Sequence, residues 1–359
     1  MWFDIAEHFD VFDNRNGVAP VKPLVTMARR LLVVSNGDLD IVDFDDMIYL
    51  PLLHKLPFPQ YDNVFVDEAQ DTNAARRAMV RAMVKKGGRV VAVGDPHQAI
   101  YGFTGADNDA LDLIAADFNC VHMPLTITYR CPKAVVAFAR QWVSHITAAD
   151  AAPEGNIDEN DMTAFLQRND LDGGAAVLCR LNKPLVKLAF QLIRQGKPCR
   201  IAGRDIGGGL KKLMTKWKVT SFDDLEVRLD TYLQQQTTRL LAKKQEAKLA
   251  TVEDQVETVR VVMDQCRVDG KHNISDAVAF VDKMFTDQIP GGMLTLTSIH
   301  KAKGREWERV FWLDRENTCP SKWARQAWQQ EQEINLQYVA ATRAKADLIE
   351  VSLPPPEPK

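Results

Sequence analysis

No Cys-x-x-Cys pair occurs in the 359 residues, and no histidine cluster stands near the six cysteines at 120, 131, 179, 199, 266 and 319. Such spacing argues against a zinc site or a redox dithiol, and scattered single thiols suit a reducing, cytoplasmic compartment. No apolar run approaches the ~20 residues of a membrane-spanning helix, so no membrane partner is expected. The opening stretch "MWFDIAEHFDVFDNRNG" has no basic segment ahead of an apolar one and is not expected to form a signal peptide. Positive charge is not in excess: the net charge is −3, so any nucleic-acid site must be a local patch. A glycine-rich phosphate loop, Gly-x-x-x-x-Gly-Lys-Ser/Thr, is missing too: Gly196-Lys197 runs into Pro198, and Gly270-Lys271 into His272.

What is present is ordinary in bulk, with 46% apolar and 26% charged residues and length for two or three domains. The pattern along the chain is strand–helix–strand. "VDFDDMIYLPLL" (42–53) reads as a helix, capped by Asp43 or Asp45 and ended or kinked at Pro51. The apolar strand 63–66 leads into a capping cluster, Asp71-Thr72-Asn73, and a helix over 74–86 stopped by Gly87-Gly88. "RVVAVGD" (89–95) follows as a second strand, which makes a parallel-sheet unit. A second set begins with the strand 175–180, the helix 185–196 and the strand 198–203. A charged stretch of helical period occupies about 206–290, and strands resume at 293–299, 309–314 and 347–353 around a helix at about 326–343. The tail "PPPEPK" reads as frayed.

The chemistry gathers at strand ends. In "YDNVFVDEAQD" a strand delivers Asp67 and Glu68 to its tip. Such a pair can hold Mg²⁺ and orient a water beside a phosphate. Alone, an acidic turn after a strand would explain it. The next strand tip raises the odds: "VGDPHQAIYGFTGA" (93–106) brings Asp95, then Gln98 within bonding reach of a γ-phosphate, then Tyr101 and Phe103 as candidates for base stacking. A core role is an even alternative for Tyr101 and the lesser one for Phe103.

These two segments resemble the second and third signature motifs of superfamily 1 DNA helicases of the UvrD/Rep type, and further motifs follow in order. "LTITYRCP" (125–132) is similar to the motif whose Tyr lies on the adenine and whose Arg reaches the γ-phosphate, roles that carry onto Tyr129 and Arg130. "LTLTSIHKAKGREWERVFW" (294–312) resembles the motif that sets Thr297, His300 and Lys301 near the DNA backbone and Glu306 at the nucleotide ribose, with Gly304 permitting a close turn. "EQEINLQYVAATRAKA" (331–346) is similar to the last motif, whose arginine finger is here Arg343; Ile334, Tyr338 and Ala341 read as core and Gln337 takes no role.

The resemblance spans about 43–353 and implies an α/β fold of two RecA-like parallel-sheet motor domains, the first incomplete at its N-terminus, with a helical insertion in the second. The expected boundaries are 1–118 and 119–359, with the insertion at about 206–290. The implied activity is an ATP-dependent DNA helicase or translocase. It couples Mg²⁺–ATP hydrolysis to 3′→5′ movement on single-stranded DNA or duplex–single-strand junctions in replication, repair or recombination, in a bacterial or phage-infected cell. Asp67 would hold the metal, Glu68 act as base, and Gln98 couple phosphate state to DNA, with Asp95 beside the nucleotide. Two departures qualify this. The family usually has an Arg two residues before its closing Gly-Ala; here Thr104 directly precedes Gly105-Ala106, and one bond to a DNA phosphate is expected to be missing. The missing phosphate loop makes weak ATPase activity the expectation for this chain alone, and a separately encoded loop-bearing fragment a candidate partner. A non-catalytic DNA-binding or scaffold remnant is the alternative.

Overall fold

The computed structural model describes residues 2, 3, 5, 21–102, 105, 109–242, 246–286 and 292–354. Its backbone contacts divide the chain into two compact units, Met1–Pro124 with Leu241–Gln245, and Leu125–Leu240 with Glu246–Lys359.

In the first unit, α1 (Val21–Gly37) and α2 (Asp46–Leu53) precede β1 (Tyr61–Val66), α3 (Ala74–Met83), β2 (Val84–Ala92) and α4 (Ala110–Phe118). The Asp43 carboxylate accepts the N–H groups of Asp45 and Asp46, both at 2.9 Å, and so starts α2. The Asn73 side chain caps α3 by accepting from Arg76 N at 3.0 Å. β1 and β2 pair in parallel. The sequence placed the second strand at 89–95 and let the helix run to 86; the chain instead leaves the helix at Met83 and pairs Val84 with Tyr61. The register shifts between Tyr61 and Asn63, and Gly87, at φ 78°, takes a conformation other residues resist. Partner strand geometry has overridden helix propensity here.

The second unit opens with β3 (Ile127–Thr128), α5 (Lys133–Ala139), β4 (Thr147–Ala148), β5 (Asn156–Asp161) and α6 (Met162–Gln167). β6 (Ala175–Cys179), α7 (Asn182–Arg194) and β7 (Cys199–Ala202) follow. Four helices come next: α8 (Arg204–Thr215), α9 (Phe222–Ala242), α10 (Glu246–Val268) and α11 (Ile274–Met284). The chain closes with β8 (Phe285–Thr286), β9 (Leu294–Ser298), α12 (Ile299–Ala302), β10 (Trp307–Leu313), α13 (Arg315–Thr318), α14 (Ala327–Ala341) and β11 (Ala344–Ser352).

Seven of these strands form one sheet in the order β5-β11-β10-β6-β9-β7-β8, and every pairing is parallel. β6 and β9 are buried along their whole length, as the apolar runs of a doubly covered parallel sheet require. Leu185, Leu188 and Leu192 of α7 and Val256, Val259, Met263 and Cys266 of α10 bury their stripes in the same core. α10 also secures α7: the Asp254 carboxylate accepts from Asn182 N at 3.0 Å and Lys183 N at 2.9 Å, so it caps that helix from 71 or more residues away in sequence.

The architecture is the α/β, parallel-sheet fold expected, and the charged stretch 206–290 is largely helical. No helix among the described residues is long and apolar enough to cross a membrane.

Candidate functional site

In the first unit, the tips of β1 and β2 are wired together. Val93 N donates to Val66 O at 2.8 Å, and Ala69 N to Val93 O at 2.9 Å, which extends the pairing past both strands. Beyond β1, Asp67 and Glu68 are exposed, and Glu68 sits in the left-handed region at φ 49°. A non-glycine residue held there stores strain of ~1–3 kcal/mol, a cost met at functional turns more than elsewhere. Gln70 explains how the turn is held. It is 2% exposed; its amide nitrogen donates to Glu68 Oε2 at 2.5 Å, and its amide oxygen accepts from Asp95 N at 3.0 Å.

Asp95 carries the chain of bonds onward. Its carboxylate accepts from His97 N and from Gln98 Nε2, both at 2.9 Å. Glu68, Gln70, Asp95 and Gln98 are thus one connected set. Gly94 must be glycine: a Cβ there would stand 2.4 Å from Gln70 Oε1 and 3.0 Å from Ala69 N. Tyr101 belongs to the same neighbourhood, since burial and then the Asp71 and Glu68 carboxylates push its hydroxyl pKa up. Phe103 and Thr104 lie outside the described residues.

The second unit carries two further groups, at opposite ends of its sheet. At the amino ends of β10 and β11 stand Arg130, Glu306, Arg343 and Lys345. Arg130 Nε pairs with Glu306 Oε2 at 2.6 Å. Lys345 adds a second cation, 3.8 Å from Glu306 and 2.8 Å from Glu308. Tyr129 is 85% exposed, so its ring is available to a ligand. Arg343 is turned inward. It is 1% exposed, and its guanidinium donates to Val339 O at 2.9 Å, Arg305 O at 3.3 Å and Thr342 Oγ1 at 3.0 Å.

At the carboxyl ends of the neighbouring strands β6, β9 and β7 stand Arg180, then His300 with Lys301, then Asp205. Ligands of open parallel sheets gather at such ends. Ser298 Oγ caps α12 by accepting from Lys301 N at 3.4 Å. Lys301 Nζ pairs with Asp205 Oδ1 at 2.8 Å. Burial opposes the charge on Asp205, but the Lys301 ammonium outweighs it and holds that carboxyl below the usual range. His300 is partly buried, and burial followed by the Arg180 charge pushes its pKa down to about 3, so the imidazole is neutral at physiological pH. Gly304 turns the chain at φ 77°. Thr297 is buried in β9, with its hydroxyl donating to Ser298 O at 3.3 Å, so its place is within the sheet and not on a surface.

Beneath His300 lies a pair that reading the sequence missed. Glu333 of α14, 4% exposed, accepts from Arg180 Nε at 3.0 Å, Arg180 Nη2 at 2.8 Å and Ser321 N at 2.8 Å. Gln70 and Lys345 were missed as well. Gln70 had a signal, standing inside the acidic motif, whereas Arg180 and Glu333 lie 153 residues apart and had none.

Comparison with known proteins bears on what these groups do. The UvrD/REP helicase N-terminal domain matches residues 24–119, and the UvrD-like helicase C-terminal domain matches 210–352, together more than half of the chain. The chain is 26% identical over 347 residues to F-box DNA helicase protein 1 of Schizosaccharomyces pombe, with 84% of this chain and 35% of that protein covered. It is 27% identical over 350 residues to F-box DNA helicase 1 of Gallus gallus, with 85% and 30% covered. A shorter match, 32% over 115 residues, is to the ATP-dependent DNA helicase PcrA of Staphylococcus epidermidis, covering 30% of this chain and 16% of that protein. The chain thus spans about a third of the length of the first two relatives.

Proposed function

The chain belongs to the UvrD/Rep-like family of DNA helicases, and on that basis we propose that it supplies the hydrolytic acids, the arginine fingers and the DNA grip of an ATP-driven translocase on single-stranded DNA. The Gln70 bridge carries this reading. It ties Glu68, where water would be activated, to Asp95 and Gln98, where a phosphate would be sensed. A bystander acidic turn needs no such connection to the next strand.

The residues fit a metal held mainly by its nucleotide. Among the described residues no group of three His, Cys, Asp or Glu side chains could hold an ion unaided. Mg²⁺ suits that situation, because it keeps several waters and takes one or two carboxylates beside substrate phosphates. Asp67 would hold it, and bound Mg²⁺ would neutralise charge that develops on the phosphates. Glu68 would orient and deprotonate the attacking water. Gln98, bonded to Asp95 at 2.9 Å, would pass a change of phosphate state on toward Tyr101, with Phe103 as a further stacking candidate.

In the second unit, Tyr129 would take the adenine face and Glu306 the ribose. Arg130 would exchange its bond to Glu306 for the γ-phosphate, a fork-to-oxygen contact that guanidinium favours. Arg343 would act as the second finger after leaving its main-chain acceptors. DNA would lie over α12, against His300 and Lys301, with Thr297 supporting them from below. We infer movement 3′→5′ and a role in replication, repair or recombination from the resemblance to the family's motifs. A phosphate loop supplied from outside these 359 residues, for instance by a separately encoded fragment, completes the site in this reading.

The test is ATP turnover with single-stranded DNA present. The chain alone is expected to turn over far below family rates, and a polypeptide bearing a Gly-Lys-Thr loop is expected to restore turnover. Glu68→Gln should then abolish the restored turnover while leaving DNA binding intact. Full turnover by the chain alone, or restored turnover that survives Glu68→Gln, would overturn the assignment.

A further inference from the structure

Lys345 stands at the edge of the proposed nucleotide site without a task in it. Glu306 faces two cations, one beside each carboxylate oxygen. Arg130 Nε holds Oε2 at 2.6 Å, and Lys345 Nζ lies 3.8 Å from Oε1. Arg130 spends only Nε on this bond. Its two Nη groups, the fork that suits a phosphate, have no partner among the described residues. Lys345 itself pairs with Glu308 Oε1 at 2.8 Å. Glu308 first, and Glu306 after it, push the pKa of the Lys345 ammonium up.

The backbone brings Lys345 to this place. β10 and β11 pair Trp307 with Ala344 and then Arg309 with Asp347, so β11 carries one residue more than β10 across this step. Lys345 and Ala346 therefore share the position opposite Glu308. A bulge of this kind re-aims a side chain, and such bulges are over-represented next to active sites. A cation placed only to offset Glu308 needs no bulge: Arg309 and Asp347, the next pair in register, join across the same strands at 3.3 Å without one.

The four groups balance, two cations against two carboxylates. A γ-phosphate that draws Arg130 away leaves Glu306 Oε2 bare beside a polyphosphate of the same sign. Lys345 can offset that loss. An ammonium carries three donors on a flexible stem. A shift of about 1 Å brings Nζ from 3.8 Å to the ~2.8 Å of a charge-assisted bond to Oε1, within reach of Glu308 still.

We propose that Lys345 is a positioning residue: it takes over Glu306 when Arg130 turns to the γ-phosphate, so that Oε1 stays anchored and Oε2 is presented to the ribose hydroxyls. Ribose recognition is thereby conditional on the third phosphate. ADP leaves Arg130 on Glu306 and does not gain it. The inference rests on the placement of a nucleotide at Tyr129, Arg130 and Glu306.

The test is a ligand-observed NMR titration of the full chain with four magnesium nucleotides: ATP, ADP and the 2′,3′-dideoxy form of each. This readout follows weak binding and needs no turnover. The parent should prefer ATP to dideoxy-ATP roughly tenfold, the low end for hydrogen bonds to a charged group. ADP and dideoxy-ADP should bind alike. Lys345→Met should weaken ATP about 1.4–5-fold, the range of an exposed ion pair, and shrink its preference for the hydroxyls, with ADP unchanged. Lys345→Arg, which keeps the charge, should retain the parent pattern. Glu306→Gln should remove the hydroxyl preference altogether. Equal hydroxyl preference in ATP and ADP would refute the conditional clamp with the nucleotide site intact. So would a Lys345→Met variant that weakens both nucleotides equally, or neither. If the parent binds none of the four, or if Glu306→Gln and Tyr129→Ala both bind as the parent does, the site and the clamp fall together.

Discussion

Replacing Arg180 by methionine isolates the pair under His300. Glu333 is 4% exposed and takes two of its three shortest hydrogen bonds from Arg180. Removing the guanidinium leaves a buried carboxylate with only Ser321 N at 2.8 Å. Breaking a buried pair from one side costs ~3–5 kcal/mol, and the lower end applies here because the Arg180 side chain remains 26% exposed. In a unit of this size ~1 kcal/mol corresponds to a melting shift of about 2–4 °C, so the expected fall is roughly 6–12 °C. Six of the seven tryptophans lie in the second unit, so urea unfolding followed by tryptophan fluorescence reports on it directly. Arg180→Met/Glu333→Met should recover most of the loss, since apolar replacement of both partners is often neutral. A single variant within ~0.5 kcal/mol of the parent, or a double variant as unstable as the single one, would refute the reasoning.

The folded chain keeps His300 neutral down to about pH 3, whereas an unfolded histidine takes its proton near 6.5. The stability it confers is complete above that pH and is lost as pH falls through the interval, by up to ~1.4 kcal/mol per unit. His300→Gln should remove that slope in acid urea titrations, and an unchanged slope would contradict the assigned burial. Asp205→Asn frees Lys301 from a competing anion, and the gain in single-stranded DNA affinity should be about 1.4–5-fold, the range of an exposed ion pair; a loss of affinity would mean that Asp205 positions the lysine instead. Gly94→Ala drives a methyl into the Gln70 amide, and native-state hydrogen exchange should show β1 and β2 less protected by ~1–3 kcal/mol.

Much of this was legible because it is local. β1 announced itself by an apolar run that ends in acids, and Gly304 by its place in a turn. Burial on a helix was read less well: Tyr338 and Ala341 are core, but Ile334 is 46% exposed. Side-chain direction was not legible at all. A motif can say that Thr297 and Arg343 matter, yet the first is closed inside β9 and the second is folded back onto main-chain oxygens. The same limit hid Arg180 with Glu333. A partner 153 residues away becomes visible only when strands β6 and β9 set their ends beside α14.

The two-stranded sheet of the first unit has a consequence for the life of the chain in a cell. Parallel strands are ordinarily covered on both faces, yet here Phe65 is 74% exposed, Val93 50% and Val91 41%. Farther on, Val121 and Met123, and Leu125 at the start of the second unit, hold alternate positions in the sequence and are 84–86% exposed. Short apolar segments with open edges are what holdase chaperones capture and what proteases reach first. In limited proteolysis of this chain, cleavage within the first unit should therefore precede cleavage within the second.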